Sequence, residues 1–100
     1  MNKVELIGRL TRDPQLVERS GKNVCDMRLA VNDGGKTTFV DLVAFGEQAE
    51  SSAAEFEKGS KVEAKGSLRY SEWEVKPKGK AKGTQKRSKH SVIVRELVAA

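Results

Sequence analysis

Aromatic residues, cysteine and long hydrophobic runs are all scarce in this sequence. Three Phe, one Tyr and one Trp make up 5% of the 100 residues, so the position of each one is informative. The single cysteine, Cys25, cannot form an internal disulfide, which suits a reducing compartment. No apolar run approaches the ~20 residues of a membrane-spanning helix, and Glu5 interrupts any N-terminal export signal. We therefore expect a cytoplasmic protein.

The residue types that catalysis and metal binding need are also few. The one histidine, His90, has no cysteine or carboxylate at the spacing of a metal site or a catalytic triad. Residues 33–36, Asp-Gly-Gly-Lys, lack the second half of a phosphate-binding loop. We therefore expect neither enzyme activity nor a bound cofactor or metal.

The net charge of +5 arises from one segment of the chain. Residues 76–89 contain six lysines, one arginine and no acid, which leaves 12 of the 19 basic residues against 14 acidic ones elsewhere. With two glycines inside it, this run is typical of a flexible, solvated loop, which we place at about residues 76–90. A cationic segment of this kind also suits a polyanion, and charge alone does not decide between the two interpretations.

Five segments alternate between apolar and polar residues, the pattern of strands with one buried face. They cover residues 3–10, 25–31, 39–45, 61–69 and 91–97. Residues 47–58 between the third and fourth carry Ala49, Ala53 and Phe56 at helical spacing and stop at Gly59. This order predicts an all-β fold with one inserted helix, the five-stranded Greek-key barrel called the OB-fold, as a single domain over residues 1–100. We expect Phe56 to pack in its core.

Three aromatic side chains stand out by their positions. Phe39 and Phe45 share the alternation of Asp41, so they point away from the apolar face of the third strand. From the residues alone, burial of both strand faces or packing against another subunit is favoured over ligand contact for these two. Trp73 stands in a polar stretch just before the lysine-rich run, where base stacking and folding back on the barrel are equally compatible with the sequence.

Several short motifs follow one another along the chain. They are Asn2-Lys3-Val4 with Leu6-Ile7-Gly8-Arg9-Leu10 and Asp13-Pro14, then Phe45-Gly46-Glu47 with Ala49, Lys58-Gly59-Ser60 with Val62, and Gly66-Ser67-Leu68-Arg69 up to Trp73. Together they resemble the opening, middle and fourth strands of the bacterial single-stranded DNA-binding proteins and cover nearly the whole chain. The resemblance implies the OB-fold, a homotetramer in preference to a dimer, and binding of single-stranded DNA during replication, recombination and repair at the nucleoid.

The resemblance also implies which side chains contact DNA. Bases in this family stack on aromatic residues of the third strand and of the loop joining strands four and five, positions that correspond to Phe39, Phe45 and Trp73; we add the nearby Tyr70. Lysine and arginine side chains would hold the phosphates, although for any single lysine a merely solubilising role is more common. The candidates are Lys3, Arg9, Arg28, Lys65, Arg69, Lys76, Lys78 and Lys80.

Three features depart from the family pattern. The loop at residues 32–37 is short and has no aromatic residue, so we expect fewer stacked bases. Asp41 stands between Phe39 and Phe45, where a basic residue would suit phosphate better. The sequence ends without the acidic tail by which typical members recruit replication and repair proteins. This is expected of a truncated chain or of a member with a narrower role.

Two other functions remain open on sequence grounds. The short loop and the missing tail fit a barrel resembling the primosomal replication protein N, a dimer that acts mainly as a protein adaptor. An RNA-binding barrel also fits, because a stacking surface accepts any single strand. Oligomer mass separates the tetramer from the dimer, and competition between DNA and RNA oligonucleotides separates the two ligands.

Overall fold

A computed structural model describes residues 1–75 and 85–100 of the chain. Six strands and one helix follow one another along these residues. They are β1 (Val4–Leu10), β2 (Gln15–Arg19), β3 (Lys22–Asp33), β4 (Lys36–Phe45), α1 (Glu47–Glu55), β5 (Lys61–Val75) and β6 (Gln85–Ala99). Within these two ranges, no helix has the length and apolar character needed to cross a membrane.

Five of the strands close into a barrel. Neighbouring strands follow the order β1-β5-β6-β4-β3, and β3 returns to pair with β1. Among the described pairings, that of β4 with β6 is parallel and the others are antiparallel. β2 adds a short edge strand beside β3. A closed five-stranded barrel with one short helix between its third and fourth strands confirms the predicted OB-fold.

The core is filled by the inward-pointing side chains of the alternating strands. Leu29, Leu42, Val62 and Val92 come from four different strands and are fully or almost fully buried. The helix lies against this core, and Phe56, just beyond its end, packs on the core as predicted. Cys25 is also buried, and desolvation raises the pKa of its thiol.

The β2–β3 hairpin was not predicted from the sequence. All five residues of β2 are exposed, so the strand has no buried face to produce an alternating pattern. The tight turn to β3 places Ser20 at φ 52° and Gly21 at φ 78°. Two consecutive residues with positive φ are typical of the turns that join short antiparallel hairpins.

Two other boundaries differ from the predictions. The helix ends at Glu55 rather than at residue 58, where the Asp13 carboxylate instead accepts a hydrogen bond from the Lys58 backbone N–H (2.8 Å). β6 begins at Gln85, so residues 85–90, expected at the end of a basic loop, form a strand paired with β5. Residues 76–84 lie outside the described residues, and the loop expected there stays a prediction.

Two glycines allow the barrel backbones to approach closely. A Cβ on Gly66 would overlap the backbone carbonyl oxygen of Ile93, and one on Gly8 would overlap that of Ala30. Gly66 also lies at an irregularity in the register of β5 with β6. A side chain at either position would therefore force neighbouring strands apart.

We expect Gly66→Ala to lower the free energy of unfolding by about 2–3 kcal/mol or more, because a backbone oxygen cannot rotate away from the added methyl group. Urea denaturation followed by circular dichroism measures this loss. Ser67→Ala, on the next residue of the same strand, is the matched control and should change stability by less than about 0.5 kcal/mol. Equal unfolding midpoints for both variants would contradict the close approach.

Candidate nucleic-acid interface

One continuous outward surface crosses β3, β4, β6 and β5. Cross-strand partners point to the same side of a sheet, and the register places Arg28 opposite Asp41, Val43 opposite Ile93 and Arg87 opposite Trp73. We call this surface the aromatic face. Its members are Asp26 and Arg28 on β3, Phe39, Asp41, Val43 and Phe45 on β4, Arg87, Lys89, Ser91 and Ile93 on β6, and Arg69, Ser71 and Trp73 on β5.

Phe39 and Phe45 both point away from the core. Their exposed fractions are 55% and 40%, so burial of both faces of β4 within the chain does not occur. Packing of this face against another subunit, the other alternative that the residues alone favoured, stays a prediction. The guanidinium carbon of Arg28 lies 5.1 Å from the centre of the Phe39 ring, a cation–π contact. This contact places a planar cation beside an exposed ring, and both groups can stack on a nucleobase.

An open groove crosses the aromatic face beside Phe45. Val43 and Ile93 contribute apolar surface to it, and cations reach it from both flanks. From the side of β2 and β3 come Arg19 and Lys22, and from the side of β5 and β6 come Arg69 and Lys89. An exposed aromatic ring between two sets of cations suits a strand of nucleic acid, whose bases stack on the ring while its phosphates contact the cations.

Two carboxylates also lie on this surface. The Asp26 carboxylate accepts a hydrogen bond from Arg19 Nη2 at 3.1 Å. The Asp41 Oδ2 atom lies 3.7 Å from Lys89 Nζ. Each acid therefore partly neutralises one of the groove cations in the structure.

Trp73 lies in β5, not in a loop as predicted. It is 46% exposed, stands opposite Arg87 of β6, and shares its alternation with Arg69. It lies four positions beyond Arg69, a rise of about 13 Å along β5. The β5–β6 hairpin therefore adds a third exposed aromatic ring to the aromatic face, after Phe39 and Phe45, with a cation beside it.

Tyr70 is engaged with neighbours on the same hairpin. Its ring centre lies 4.9 Å from that of His90, its cross-strand partner on β6. Its hydroxyl donates a hydrogen bond to Glu72 (2.8 Å). It also borders a hollow beside Phe45 and Lys22. Tyr70 alternates with Arg69 and Ser71 along β5, so its ring points away from the aromatic face, and stacking on a base would also compete with its contact to His90.

Two of the predicted cations lie together away from the aromatic face. Lys3 and Lys65 line a separate hollow near the start of β1, where Lys3 Nζ is 3.1 Å from Glu5 and Lys65 Nζ is 3.4 Å from Glu63. The hydrogen bond and charge of Lys3 lower the pKa of Glu5, and those of Glu63 raise the pKa of Lys65. Both lysines are thus already paired with acids.

The remaining predicted cations are placed differently. Arg9 lies on β1 and donates a hydrogen bond to the Gly59 carbonyl at 3.1 Å. Arg28 and Arg69 lie on the aromatic face, as their outward alternation indicated. Predictions for Lys76, Lys78 and Lys80 fall on residues outside the described ranges.

Sequence reasoning missed Arg19 and Lys22. These residues flank the Ser20-Gly21 turn between β2 and β3, and β2 was not predicted. A basic residue on each side of a tight turn is the signal that could have found them, provided that the hairpin itself had been predicted. In the part of the chain that the structure describes, no group of three or more His, Cys, Asp or Glu side chains is suited to a metal ion.

The barrel and its outer face define a class, the OB-fold with an aromatic, cation-lined surface. A model of the Single-strand binding protein family matches residues 1–99. The chain therefore belongs to the single-strand binding protein family.

Individual relatives agree with the family match. The chain is 40% identical to the single-stranded DNA-binding protein of Clostridium perfringens (strain 13 / Type A), over 75% of this chain and 53% of that protein. It is 36% identical to the single-stranded DNA-binding protein of Wolinella succinogenes, over 96% of this chain and 62% of that protein. The chain thus spans between about half and two thirds of the length of these curated relatives. Synechocystis sp. PCC 6803 has a protein named single-stranded DNA-binding protein 1 that is 34% identical over 79% of this chain and 70% of its own length.

Proposed function

We propose that this chain binds single-stranded DNA with little sequence preference, through base stacking on Phe39, Phe45 and Trp73 and phosphate contacts along the groove. The observation that carries this proposal is the exposed Phe45 ring between cations from two separate hairpins. Membership of the family and the names of the relatives support single-stranded DNA as the ligand. They do not favour the primosomal adaptor.

The form of the aromatic face favours single strands over duplex. Stacking on Phe39 or Phe45 needs an unpaired base, whose flat surface is free, and contributes roughly 1–3 kcal/mol per base with little dependence on sequence. Bases in a duplex are stacked on one another and expose only their edges in the grooves. An open surface of this kind fits protection of single strands during replication, recombination and repair, in the cytoplasm at the nucleoid.

A homotetramer is the assembly that we propose. Large apolar side chains are exposed away from the aromatic face, among them Ile7 on β1 at 51%. A subunit contact over β1 would cover such residues and leave the aromatic face open. Sedimentation equilibrium should then give four times the mass of the chain, whereas twice that mass would favour the dimer.

The fluorescence of Trp73, the single tryptophan, provides the first test. We expect strong quenching by a single-stranded oligonucleotide, little by the matching duplex, and partial survival of the complex at high salt, because stacking is not ionic. If the protein binds both forms equally and high salt abolishes the binding, only nonspecific attraction to a basic surface is present. The adaptor function would then be favoured.

Phe45→Ala should weaken binding of a single strand by about 1–3 kcal/mol, because it removes one stacking surface and no charge. Fluorescence titration against the same oligonucleotide measures the loss. Val98→Ala is the matched control: Val98 is as exposed as Phe45, at 41% against 40%, and lies near the end of β6 away from the aromatic face. A similar loss of affinity in both variants would contradict stacking on Phe45.

Two variants each remove one cation from β5. Arg69→Gln removes a cation on the aromatic face, and Lys65→Gln removes one away from it. For Arg69→Gln, we expect the slope of log K against log salt to become shallower by about 0.7, the value for one phosphate contact on a single strand. For Lys65→Gln, we expect an unchanged slope, since Glu63 already pairs with this lysine. A shallower slope for Lys65→Gln and an unchanged slope for Arg69→Gln would indicate that DNA binds at the hollow beside β1 instead.

A further inference from the structure

We propose that Asp26 and Asp41 make the aromatic face selective for single strands by repelling phosphates from its centre. This inference rests on the proposed function and adds a determinant of specificity to it. Aromatic rings attract bases, but they do not by themselves exclude the backbone of a duplex that is drawn to the same cations. Carboxylates among the rings can do so.

Both carboxylates lie in the middle of the face. Asp41 points to the same side of β4 as Phe39 and Phe45 and stands between them. Asp26, on the neighbouring strand, is the cross-strand partner of Val43, which contributes to the apolar part of the groove. Their side chains are 25% and 29% exposed, so both carboxylates are accessible to a bound ligand.

The ion pairs on this surface separate two kinds of cation. Arg19 and Lys89 are each held by one of the two acids, at 3.1 Å and 3.7 Å. Lys22 and Arg69, which approach the groove from opposite flanks, form no ion pair with another described residue. Within the groove, the cations without an acid partner therefore lie at the two edges. Arg28, also without an ion pair to a described residue, lies beyond the groove, over the Phe39 ring.

This arrangement dictates how a strand can lie. A phosphate placed over the centre would face a carboxylate or would have to displace it from Arg19 or Lys89. A base carries no net charge, and its N–H groups can donate hydrogen bonds to a carboxylate, which only accepts them. Bases are therefore favoured at the centre, and phosphates are favoured beside Lys22 and Arg69.

A single strand can adopt this arrangement, and a duplex cannot. The flexible backbone of a single strand can follow one edge while its bases point inward. A duplex presents its phosphates outward on both strands, so contact with the face brings some of them over Asp26 or Asp41. The carboxylates should therefore oppose duplex binding more than single-strand binding.

The test compares single-strand and duplex affinity in Asp41→Asn and Asp26→Asn, which keep the side-chain shape and remove the charge. Dissociation constants are measured at low salt by fluorescence anisotropy, with a labelled single strand and a labelled hairpin duplex. We expect the ratio of single-strand to duplex affinity to fall about fivefold for each variant, the size of one solvated charge pair at contact distance.

Glu55→Gln is the matched control, because it makes the same change in net charge at an exposed residue at the end of α1. Its ratio should equal that of the wild-type protein. A merely structural role for the acids would change both affinities by one common factor and leave the ratio unchanged, which would overturn the proposal. Duplex binding that stays undetectable in both Asp variants would overturn it too, because exclusion would not then depend on these carboxylates.

Failure of the proposed function is seen separately. If single strands do not quench Trp73 in the wild-type protein, the proposed function fails before any variant is compared, and the inference that rests on it fails as well. If the wild-type protein binds single strands as expected and the affinity ratio is unchanged in both Asp variants, only the role of the carboxylates is wrong. Two variants on different strands keep the test decisive if one of them does not fold.

Discussion

The barrel closes through two short strand pairings, which we call seams, and the aromatic face depends on both. At one seam β1 meets β3, where Gly8 lies against the backbone of Ala30. At the other, β4 runs parallel to β6 beside Leu42. This parallel seam joins the β3–β4 hairpin to the β5–β6 hairpin, so it places Phe45 and Arg69 on one surface although they are distant in the sequence. The groove is therefore a product of closure and not of any single hairpin.

Charge acts on this surface over two ranges. On the proposed function, the basic excess at residues 76–89 would attract a polyanion from a distance, within the screening length of about 8 Å at physiological salt. At contact, the described part of the face is mixed, because Asp26 and Asp41 each pair with a cation. Attraction at a distance is therefore nonspecific, whereas the positions of individual acids and cations decide which part of a ligand lies where.

How far the sequence predicts the structure depends on how local each signal is. Alternation within a strand is local, and it correctly predicted the first barrel strand nearly in full, a part of each of the other four, the outward Phe45 and the packing of Phe56. β2 was missed because a strand exposed on every residue leaves no such alternation, and Arg19 and Lys22 were missed with it. The strand at residues 85–90 is charged and almost without apolar side chains, so it has no alternating pattern of its own. Its pairing with β5 depends on contacts between distant segments, which a local pattern does not predict.

That pairing changes what the basic residues can contribute to binding. In a flexible loop, each lysine or arginine would lose backbone and side-chain freedom when it contacts a phosphate. In the structure, Arg87 stands opposite Trp73 and Lys89 opposite Ser71, so the backbone of these cations is already ordered on the aromatic face. On the proposed function, less conformational entropy would remain to be lost on binding, and more of the interaction energy of each phosphate contact would contribute to affinity. The extension of β6 therefore carries the aromatic face from Phe45 towards Trp73 as one ordered surface.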